Sequence, residues 1–247
     1  MLSEPKLLER PTKVILTGGT SGIGQQLLTR LLDGGHKVVI LARRASTLTP
    51  QPRLIPIDVD LADNDAIKLV CAQLAEGHAD ARILINNAAL QYPLPLTDPT
   101  FDPSQMEAEV AINLIAPALL VHALLPALRR HSQQAAIINI SSGLAYFPKQ
   151  QSALYCATKA GLSNFTQSLR YQLEQDGILV SEVILPVVDT PMTAGRGMVK
   201  ITAATAAQAI LEGIANRRQT IYVGKAKLLP ILARLAPSVG RKILRGS

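Results

Sequence analysis

The chain has few aromatic residues and few cysteines. Tryptophan is absent and aromatic residues make up only 3% of the 247 positions, whereas 48% are hydrophobic, so aliphatic side chains must fill the core. The two cysteines, Cys71 and Cys156, exclude a framework of several disulfides and favour a reducing compartment. They also lack the clustered spacing with histidine that marks a metal site, so no metal is predicted.

Targeting signals and long apolar runs are missing as well. The first ten residues lack the apolar core of a signal peptide. The most apolar stretch, residues 114–128, is interrupted by Pro117, His122 and Pro126 and is too short to span a bilayer. Together these features predict a soluble cytoplasmic protein.

Acidic residues are absent from the C-terminal part of the chain. From Arg217 onward there are eight Lys and Arg and no Asp or Glu, so this part alone accounts for the net charge of +7. The tail, residues 225–247, places six apolar residues near one helical face: Leu228, Ile231, Leu232, Leu235, Val239 and Ile243. Such a tail can lie peripherally on the anionic inner membrane surface, and packing on a partner subunit explains it equally well. No stacking aromatics lie between its charges, which argues against nucleic acid.

A glycine-rich turn follows the first apolar run, residues 14–17, and precedes an amphipathic helix that ends at Asp33. The turn consists of Gly18, Gly19, Thr20, Ser21, Gly22, Ile23 and Gly24. Glycines in such a unit allow a tight turn and close approach of a pyrophosphate, which the free N–H groups of the helix N-terminus bind. We therefore favour dinucleotide binding over an ordinary glycine-rich connection.

The second predicted strand, residues 37–41, is followed by Ala42, Arg43 and Arg44. An acidic residue at this place accepts from a ribose 2′-hydroxyl, whereas an arginine suits a 2′-phosphate. Arg43 therefore favours NADP(H) over NAD(H), with a solvated surface arginine as the other interpretation.

Apolar strands alternate with helical segments along the chain. Seven runs are predicted as strands: 14–17, 37–41, 54–58, 83–86, 136–140, 178–185 and 220–223. This alternation predicts one α/β domain over residues 1–247, with a doubly wound, mostly parallel seven-stranded Rossmann-like sheet and helices on both faces. Ligands bind at the C-terminal ends of parallel strands, which makes four polar residues there candidates for the site: Asp58, Asn86, Asn87 and Ser141. The segment 193–202 is rich in small residues and is a candidate lid.

Tyr155 and Lys159 are four residues apart, so on a helix they share one face. A phenol ionises near pH ~10, and a neighbouring ammonium favours its ionised form. With a serine hydroxyl in reach, this pair suits proton transfer to a carbonyl or from an alcohol. The alternative is a chance pair on an amphipathic helix. Ser152 is the predicted N-cap of that helix.

These motifs together resemble the short-chain dehydrogenase/reductase family over roughly residues 12–224. The resemblance rests on Thr17-Gly18-x-x-x-Gly22-Ile-Gly24, Asp58-Val59, Asn86-Asn87-Ala88, Asn113, Ser142 and Tyr155-x-x-x-Lys159. It implies a catalytic tetrad of Asn113, Ser142, Tyr155 and Lys159. Ser142, rather than Ser141, lies thirteen positions before the tyrosine, as the family pattern requires.

The resemblance also implies roles. Tyr155 is the general acid in reduction and the base in oxidation, Ser142 orients the substrate oxygen, and Lys159 lowers the tyrosine pKa and binds the nicotinamide ribose. Asn113 supports a water in the proton relay. The remaining cofactor contacts fall on Asp58 and Val59 at the adenine, Asn86 and Ala88 at the adenosine ribose, and Val188 and Thr190 at the nicotinamide amide.

Some positions depart from the family pattern: Ala89 stands where glycine is usual, and Leu185-Pro186 replaces Pro-Gly. The segments from Ser141 and from Val187 are similar to a bacterial branch typified by the oxidoreductase that accompanies teichoic-acid D-alanylation. The expected activity is an NADP(H)-dependent interconversion of a carbonyl and a secondary alcohol, and the alternative is a non-catalytic NADP(H)-binding sensor or scaffold. A homodimer or homotetramer is implied. An apolar portion of the substrate is expected from four residues beside the serines: Leu144, Tyr146, Phe147 and Pro148.

Overall fold

The computed structural model describes residues 6–195 and 199–246, so part of the candidate lid, residues 196–198, lies outside the described chain. A seven-stranded sheet is formed by β1 (Lys13–Thr17), β2 (Lys37–Ala42), β3 (Leu54–Asp58), β4 (Ala81–Asn86), β5 (Ala136–Ser142), β6 (Leu179–Leu185) and β9 (Thr220–Tyr222). The order across the sheet is β3-β2-β1-β4-β5-β6-β9, and each neighbouring pair is parallel. The predicted seven-stranded Rossmann-like sheet is confirmed. Two short strands, β7 (Val188–Asp189) and β8 (Ile201–Thr202), pair separately.

Helices cover both faces of the sheet because each strand contributes apolar side chains to both. Helices α1 (Gly22–Asp33) and α6 (Ala203–Ala215) pack on one face, and α2 (Asn64–Gly77), α4 (Ala116–His131) and α5 (Ala153–Gln172) on the other. The strand order reverses between β1 and β4, and ligands of doubly wound folds bind in the crevice at such a point.

The long helical segment between β4 and β5 is not a uniform α-helix. It comprises α3 (Ser104–Val110), a π-helical turn (Ala111–Ile115) and α4. Short π segments are frequent at functional sites. The run 104–134 is long and apolar enough to cross a membrane by length and composition, but Leu120, Leu124 and Leu128 are buried in the core beneath the sheet, as in a core helix of a Rossmann-like fold.

The tail forms two short helices, α7 (Leu229–Leu235) and α8 (Pro237–Arg245), separated at Ala236. It packs on the loop between β5 and α5: the Phe147 ring lies where a side chain on Gly240 would stand, and the Gln150 amide donates to the Arg245 carbonyl at 2.8 Å. These contacts do not bury the whole apolar face of the tail. Five apolar residues stay exposed: Leu228, Ile231, Leu235, Val239 and Ile243.

The predicted capping role of Ser152 is wrong. Ser152 precedes α5 in a left-handed conformation and its side chain makes no cap hydrogen bond. Its Oγ instead donates to the Tyr92 carbonyl at 2.6 Å. A contact sixty residues away along the chain therefore replaces the local one.

Candidate active site

A cleft of about 410 Å³ opens at the C-terminal edge of the sheet, across the point where the strand order reverses. Fourteen of the predicted site residues line it: Gly18, Thr20, Ser21, Gly22, Ile23, Gly24, Arg43, Val59, Asn87, Ala88, Ser141, Tyr155, Lys159 and Thr190. Five others do not: Asp58, Asn86, Asn113, Ser142 and Val188.

The glycine turn is held by close packing. Gly18 has φ +69°, and a Cβ there would lie 2.8 Å from Ala88 Cα. A Cβ on Gly24 would overlap the Gly18 carbonyl. The Asn87 amide donates to the carbonyls of Thr17 and Gly18 at 3.0 and 2.8 Å, so β4 clamps the turn that ends β1. A side chain on either glycine would therefore collide with its protein neighbours, and a glycine turn of this kind before a helix N-terminus fits a pyrophosphate.

Two arginines stand beside the cleft at the end of β2. Arg43 and Arg44 both line it and are exposed. In the described ranges, no carboxylate lies within 4 Å of either guanidinium. Two cationic side chains without a partner fit a phosphate group.

Asp58 ends β3 but faces a different partner from the one implied by the family resemblance. Its carboxylate accepts from the Ser46 amide at 2.8 Å and from the Ser46 hydroxyl at 2.5 Å. These hydrogen bonds, the hydroxyl first, lower the pKa of Asp58. Val59 and Asp60 line the cleft instead.

Tyr155 and Lys159 meet on the wall of the cleft at the N-terminal part of α5. Tyr155 is 8% exposed and Lys159 2% exposed. The Lys159 Nζ lies 5.6 Å from the Tyr155 ring centroid and donates to the Ile140 carbonyl at 2.8 Å. Burial lowers the pKa of Lys159 to about 8, and the charge of Glu182 acts in the opposite direction. The predicted pairing on one helical face is present.

The two serines that end β5 have different surroundings. Ser141 lines the cleft, is 2% exposed, and its Oγ has no hydrogen-bond partner among the described residues. The Ser142 Oγ accepts from the Leu144 amide at 3.2 Å. Because that hydroxyl acts as the acceptor there, its own hydrogen remains available for a second oxygen.

The Asn113 side chain is fully engaged inside the protein. Its Oδ1 accepts from the Leu90 amide at 2.8 Å, and its Nδ2 donates to the Leu90 carbonyl at 2.8 Å and to the Thr158 hydroxyl at 3.1 Å. Asn113 thus ties the π-helical turn to the cleft-lining loop and to α5. A water-supporting role would fall to its backbone, since a π turn displaces carbonyls from the usual hydrogen-bond pattern.

Two further predicted contacts are placed away from the cleft. The Asn86 Nδ2 donates to Asn139 at 2.8 Å within the buried sheet, and Val188 is buried in β7. Thr190 does line the cleft and lies beside Gly22. A Cβ added to Gly22 would lie 3.1 Å from the Thr190 methyl group.

The rest of the cleft wall is mostly apolar. Its residues include Leu90, Tyr92, Ala108, Ile112, Leu185, Pro191 and Met192. The four residues expected to shape the pocket, 144 and 146–148, do not line it. Phe147 is buried against the tail and the Tyr146 hydroxyl pairs with that of Tyr222 at 2.9 Å, because α7 and α8 draw this loop away from the cleft.

The sequence did not reveal the roles of two residues in this geometry. Arg44 was recognised only as a neighbour of Arg43, although both line the cleft. Asn87 was recognised only as a strand-end residue, whereas its amide fixes the glycine turn. The doubled arginine at the end of β2 was the available signal for the first of these.

Known proteins of one family are similar to this chain in sequence and in fold. The family model described as short chain dehydrogenase matches residues 12–198. The chain is 33% identical over 181 residues to the uncharacterized oxidoreductase DltE of Bacillus subtilis, which covers 72% of this chain and 71% of the relative.

Two solved structures share the fold over almost the whole chain. A short chain dehydrogenase from Burkholderia cenocepacia in complex with NADP has a TM-score of 0.86 at 27% identity and covers 96% of this chain and 99% of its own. A short-chain dehydrogenase from Sphingobium yanoikuyae in complex with NADPH has a TM-score of 0.79 at 25% identity and covers 94% of each chain.

Proposed function

Since the chain belongs to the short-chain dehydrogenase family of NAD(P)-dependent oxidoreductases, we propose that it interconverts a carbonyl compound and a secondary alcohol, with NADP(H) as the hydride carrier. The observation that carries this proposal is the pairing of Tyr155 with Lys159 in the same cleft as the glycine turn and Arg43. β2, which the arginines follow, and β5, which leads to the helix that carries Tyr155, are three strand spacings apart, or roughly 14 Å along the sheet edge. An extended dinucleotide fits across that distance.

The cofactor-binding residues fit NADP(H) in three places. The Gly18–Gly24 turn presents backbone N–H groups to a pyrophosphate, Arg43 and Arg44 present cations to a 2′-phosphate, and Lys159 presents donors to ribose hydroxyls. When bound, the nicotinamide supplies or takes up the hydride. Solved relatives in complex with NADP and NADPH support NADP(H) as the cofactor.

Tyr155 performs the proton transfer in this proposal. In reduction its hydroxyl donates to the carbonyl oxygen, and in oxidation its phenolate accepts the alcohol proton. The Lys159 ammonium beside the ring favours the phenolate. Ser142 orients the substrate oxygen in this proposal. The adjacent Ser141, which lines the cleft and has a buried hydroxyl without a hydrogen-bond partner among the described residues, is the other serine to test for this role.

The apolar wall that includes Tyr92, Ile112 and Met192 supports a substrate with an apolar portion. The direct test is a panel of ketones, aldehydes and alcohols, graded by the size of the apolar group, with NADPH consumption or formation as the readout. We expect turnover that increases with apolar size. Tight NADPH binding without turnover of any panel member would instead favour the sensor or scaffold function.

The proposal includes self-association and a cytoplasmic location. The helices around Asn113 and Tyr155 retain exposed small or apolar residues, among them Ile115, Ala157 and Ala160, as a face for a second copy. Both cysteines are free thiols, as in a reducing compartment. Light scattering of the full chain is expected to give the mass of a dimer or tetramer.

A peripheral membrane contact through the tail is also part of the proposal. Exposed Ile231, Leu235 and Ile243 accompany exposed Arg234 and Arg241, with no acidic side chain in the tail sequence. Apolar insertion together with attraction to anionic headgroups is the physical basis of such binding.

We expect Leu235→Asp to weaken binding to vesicles containing phosphatidylglycerol by roughly tenfold, measured by cosedimentation. The substitution removes apolar area from the tail and adds a negative charge, which the anionic headgroups repel. Leu235 is 76% exposed and Leu69 on α2 is 74% exposed, so Leu69→Asp is a matched control that should not change binding. Point substitution is preferable to deletion, because removing the tail would uncover Phe147. Unchanged vesicle binding by Leu235→Asp together with a halved native mass would show that the tail packs on a partner subunit.

A further inference from the structure

Glu182 is a buried carboxylate in the sheet behind the Tyr155–Lys159 pair. It lies in β6, in register with Asn139 of β5 and Thr220 of β9, and is 5% exposed. Because side chains alternate along a strand, Glu182 shares the face of Val180, which belongs to the core cluster beneath α4 and α5. Lys159 reaches the sheet from α5.

The carboxylate has no local partner to account for its burial. Its Oε1 accepts no hydrogen bond within residues 6–195 and 199–246, and no basic group described there lies within 4 Å of it. A buried carboxylate without a close partner is costly, and a cation at longer range reduces that cost.

Two cations on α5 are near Glu182. The first, Arg170, directs its donors elsewhere: its Nε donates to the Val180 carbonyl at 3.0 Å, its Nη1 to Gln167 at 2.8 Å, and its Nη2 to the Gln219 carbonyl. The Gln219 carbonyl also accepts from the Glu182 backbone amide at 2.9 Å, so the guanidinium lies beside the main chain of Glu182 without pairing with its carboxylate.

The second cation is Lys159, whose Nζ donates to the Ile140 carbonyl. Ile140 is in register with Val183, the residue after Glu182, and adjacent strands lie about 4.8 Å apart. The ammonium and the carboxylate thus occupy neighbouring positions of the same water-poor layer between α5 and the sheet. In such a layer, charge interactions are screened much less than in water.

We propose that Glu182 is a positioning residue whose negative charge keeps Lys159 in its ammonium form beside Tyr155. Burial lowers the pKa of Lys159 to about 8, and Glu182 is the charge that opposes this effect. The titratable groups that face Glu182 are Lys159 and Arg170 from α5, Tyr146 from the loop after β5, and Tyr222 from β9. Burial and the hydrogen bond to Tyr222 raise the pKa of Tyr146, so that phenol stays neutral near pH 8 and leaves Lys159 as the group that responds.

The direction of the effect follows from the sign of the charges. The ammonium of Lys159 is present below about pH 8 and is lost as the pH rises through that value. Removing the negative charge of Glu182 disfavours the ammonium, so the loss then occurs at lower pH. The effect of Glu182 on the protonation of Lys159 does not depend on the proposed function. Its effect on the reaction rate does rest on that function.

The test follows the lysine side-chain Cε resonances by NMR in the cofactor-free protein, with Lys159→Met to assign the signal. In Glu182→Gln, we expect the Lys159 titration midpoint to move about one pH unit lower. Glu109→Gln is the matched control: Glu109 is also buried, on α3, and its partner is the Tyr92 amide. It should leave the Lys159 midpoint in place.

The kinetic test measures kcat/KM as a function of pH and follows its decrease on the alkaline side. In Glu182→Gln it should move to lower pH with the titration, so that activity at pH 9 falls roughly tenfold relative to the unmutated enzyme while activity near pH 6.5 is retained. A folded Glu182→Gln protein with an unmoved Lys159 midpoint overturns the proposal and leaves Glu182 a structural neighbour of Arg170. If the glutamine variant does not fold, Glu182→Ser provides the same charge removal and is judged by the same midpoint.

Discussion

Tyr155→Phe is expected to reduce kcat by about 10²–10⁴-fold while NADPH affinity stays within a few-fold of that of the unmutated protein. The phenol is the only group of the proposed mechanism that moves a proton at the substrate oxygen, and phenylalanine keeps the ring while removing that proton. In the proposed complex the glycine turn and the β2 arginines bind other parts of the cofactor, and the phenylalanine ring keeps the place of the tyrosine ring on the cleft wall. Turnover by absorbance and NADPH affinity by fluorescence titration separate the two effects.

Tyr171→Phe provides the matched control for this variant. Tyr171 stands on the same helix, is 70% exposed and does not line the cleft. The control should therefore keep full activity. Undiminished turnover by Tyr155→Phe would remove the tyrosine from the mechanism, and equal losses in NADPH affinity and turnover would make it a binding residue only.

The sheet and the cleft position were predictable because they depend on local patterns. Apolar runs such as residues 37–41 and 136–140 are continuous, as strands buried on both faces must be, and the predicted strands coincide with those in the structure to within a few residues. The glycine turn after the first strand placed the cleft. Tyr155 and Lys159 needed only their helical spacing to be brought together.

The details that were not predictable depend on distant parts of the chain. Ser152 was expected to cap its own helix, but the Tyr92 carbonyl offers a buried acceptor that no local pattern reveals. Phe147 was expected at the substrate, but Gly240 in the tail provides a space into which its ring packs. Which of the two adjacent serines lines the cleft depends on how β5 ends and turns, which no local pattern reveals. The family spacing selects Ser142, whereas Ser141 is the serine that lines the cleft.

The second large effect concerns the cofactor. Arg43→Asp is expected to lower kcat/KM with NADPH by about 10–100-fold, because a charge-assisted phosphate contact is lost and a like charge is added beside the 2′-phosphate. The same aspartate accepts from a ribose 2′-hydroxyl, so kcat/KM with NADH should be unchanged or higher. The ratio of the two values, measured with one substrate, gives the change in preference.

Arg44 makes this prediction more specific than the sequence alone allowed. Both arginines line the cleft, and no carboxylate in the described chain pairs with them. Arg44→Ala alone should therefore weaken the binding of NADPH by about tenfold and leave the binding of NADH unchanged. Arg10→Ala removes an exposed positive charge that does not line the cleft and should alter neither cofactor. Equal losses for both cofactors in Arg44→Ala would place that arginine on the pyrophosphate, which the two cofactors share. A preference of the unmutated enzyme for NADH would refute the 2′-phosphate site, because NAD(H) carries an uncharged hydroxyl where NADP(H) carries that phosphate.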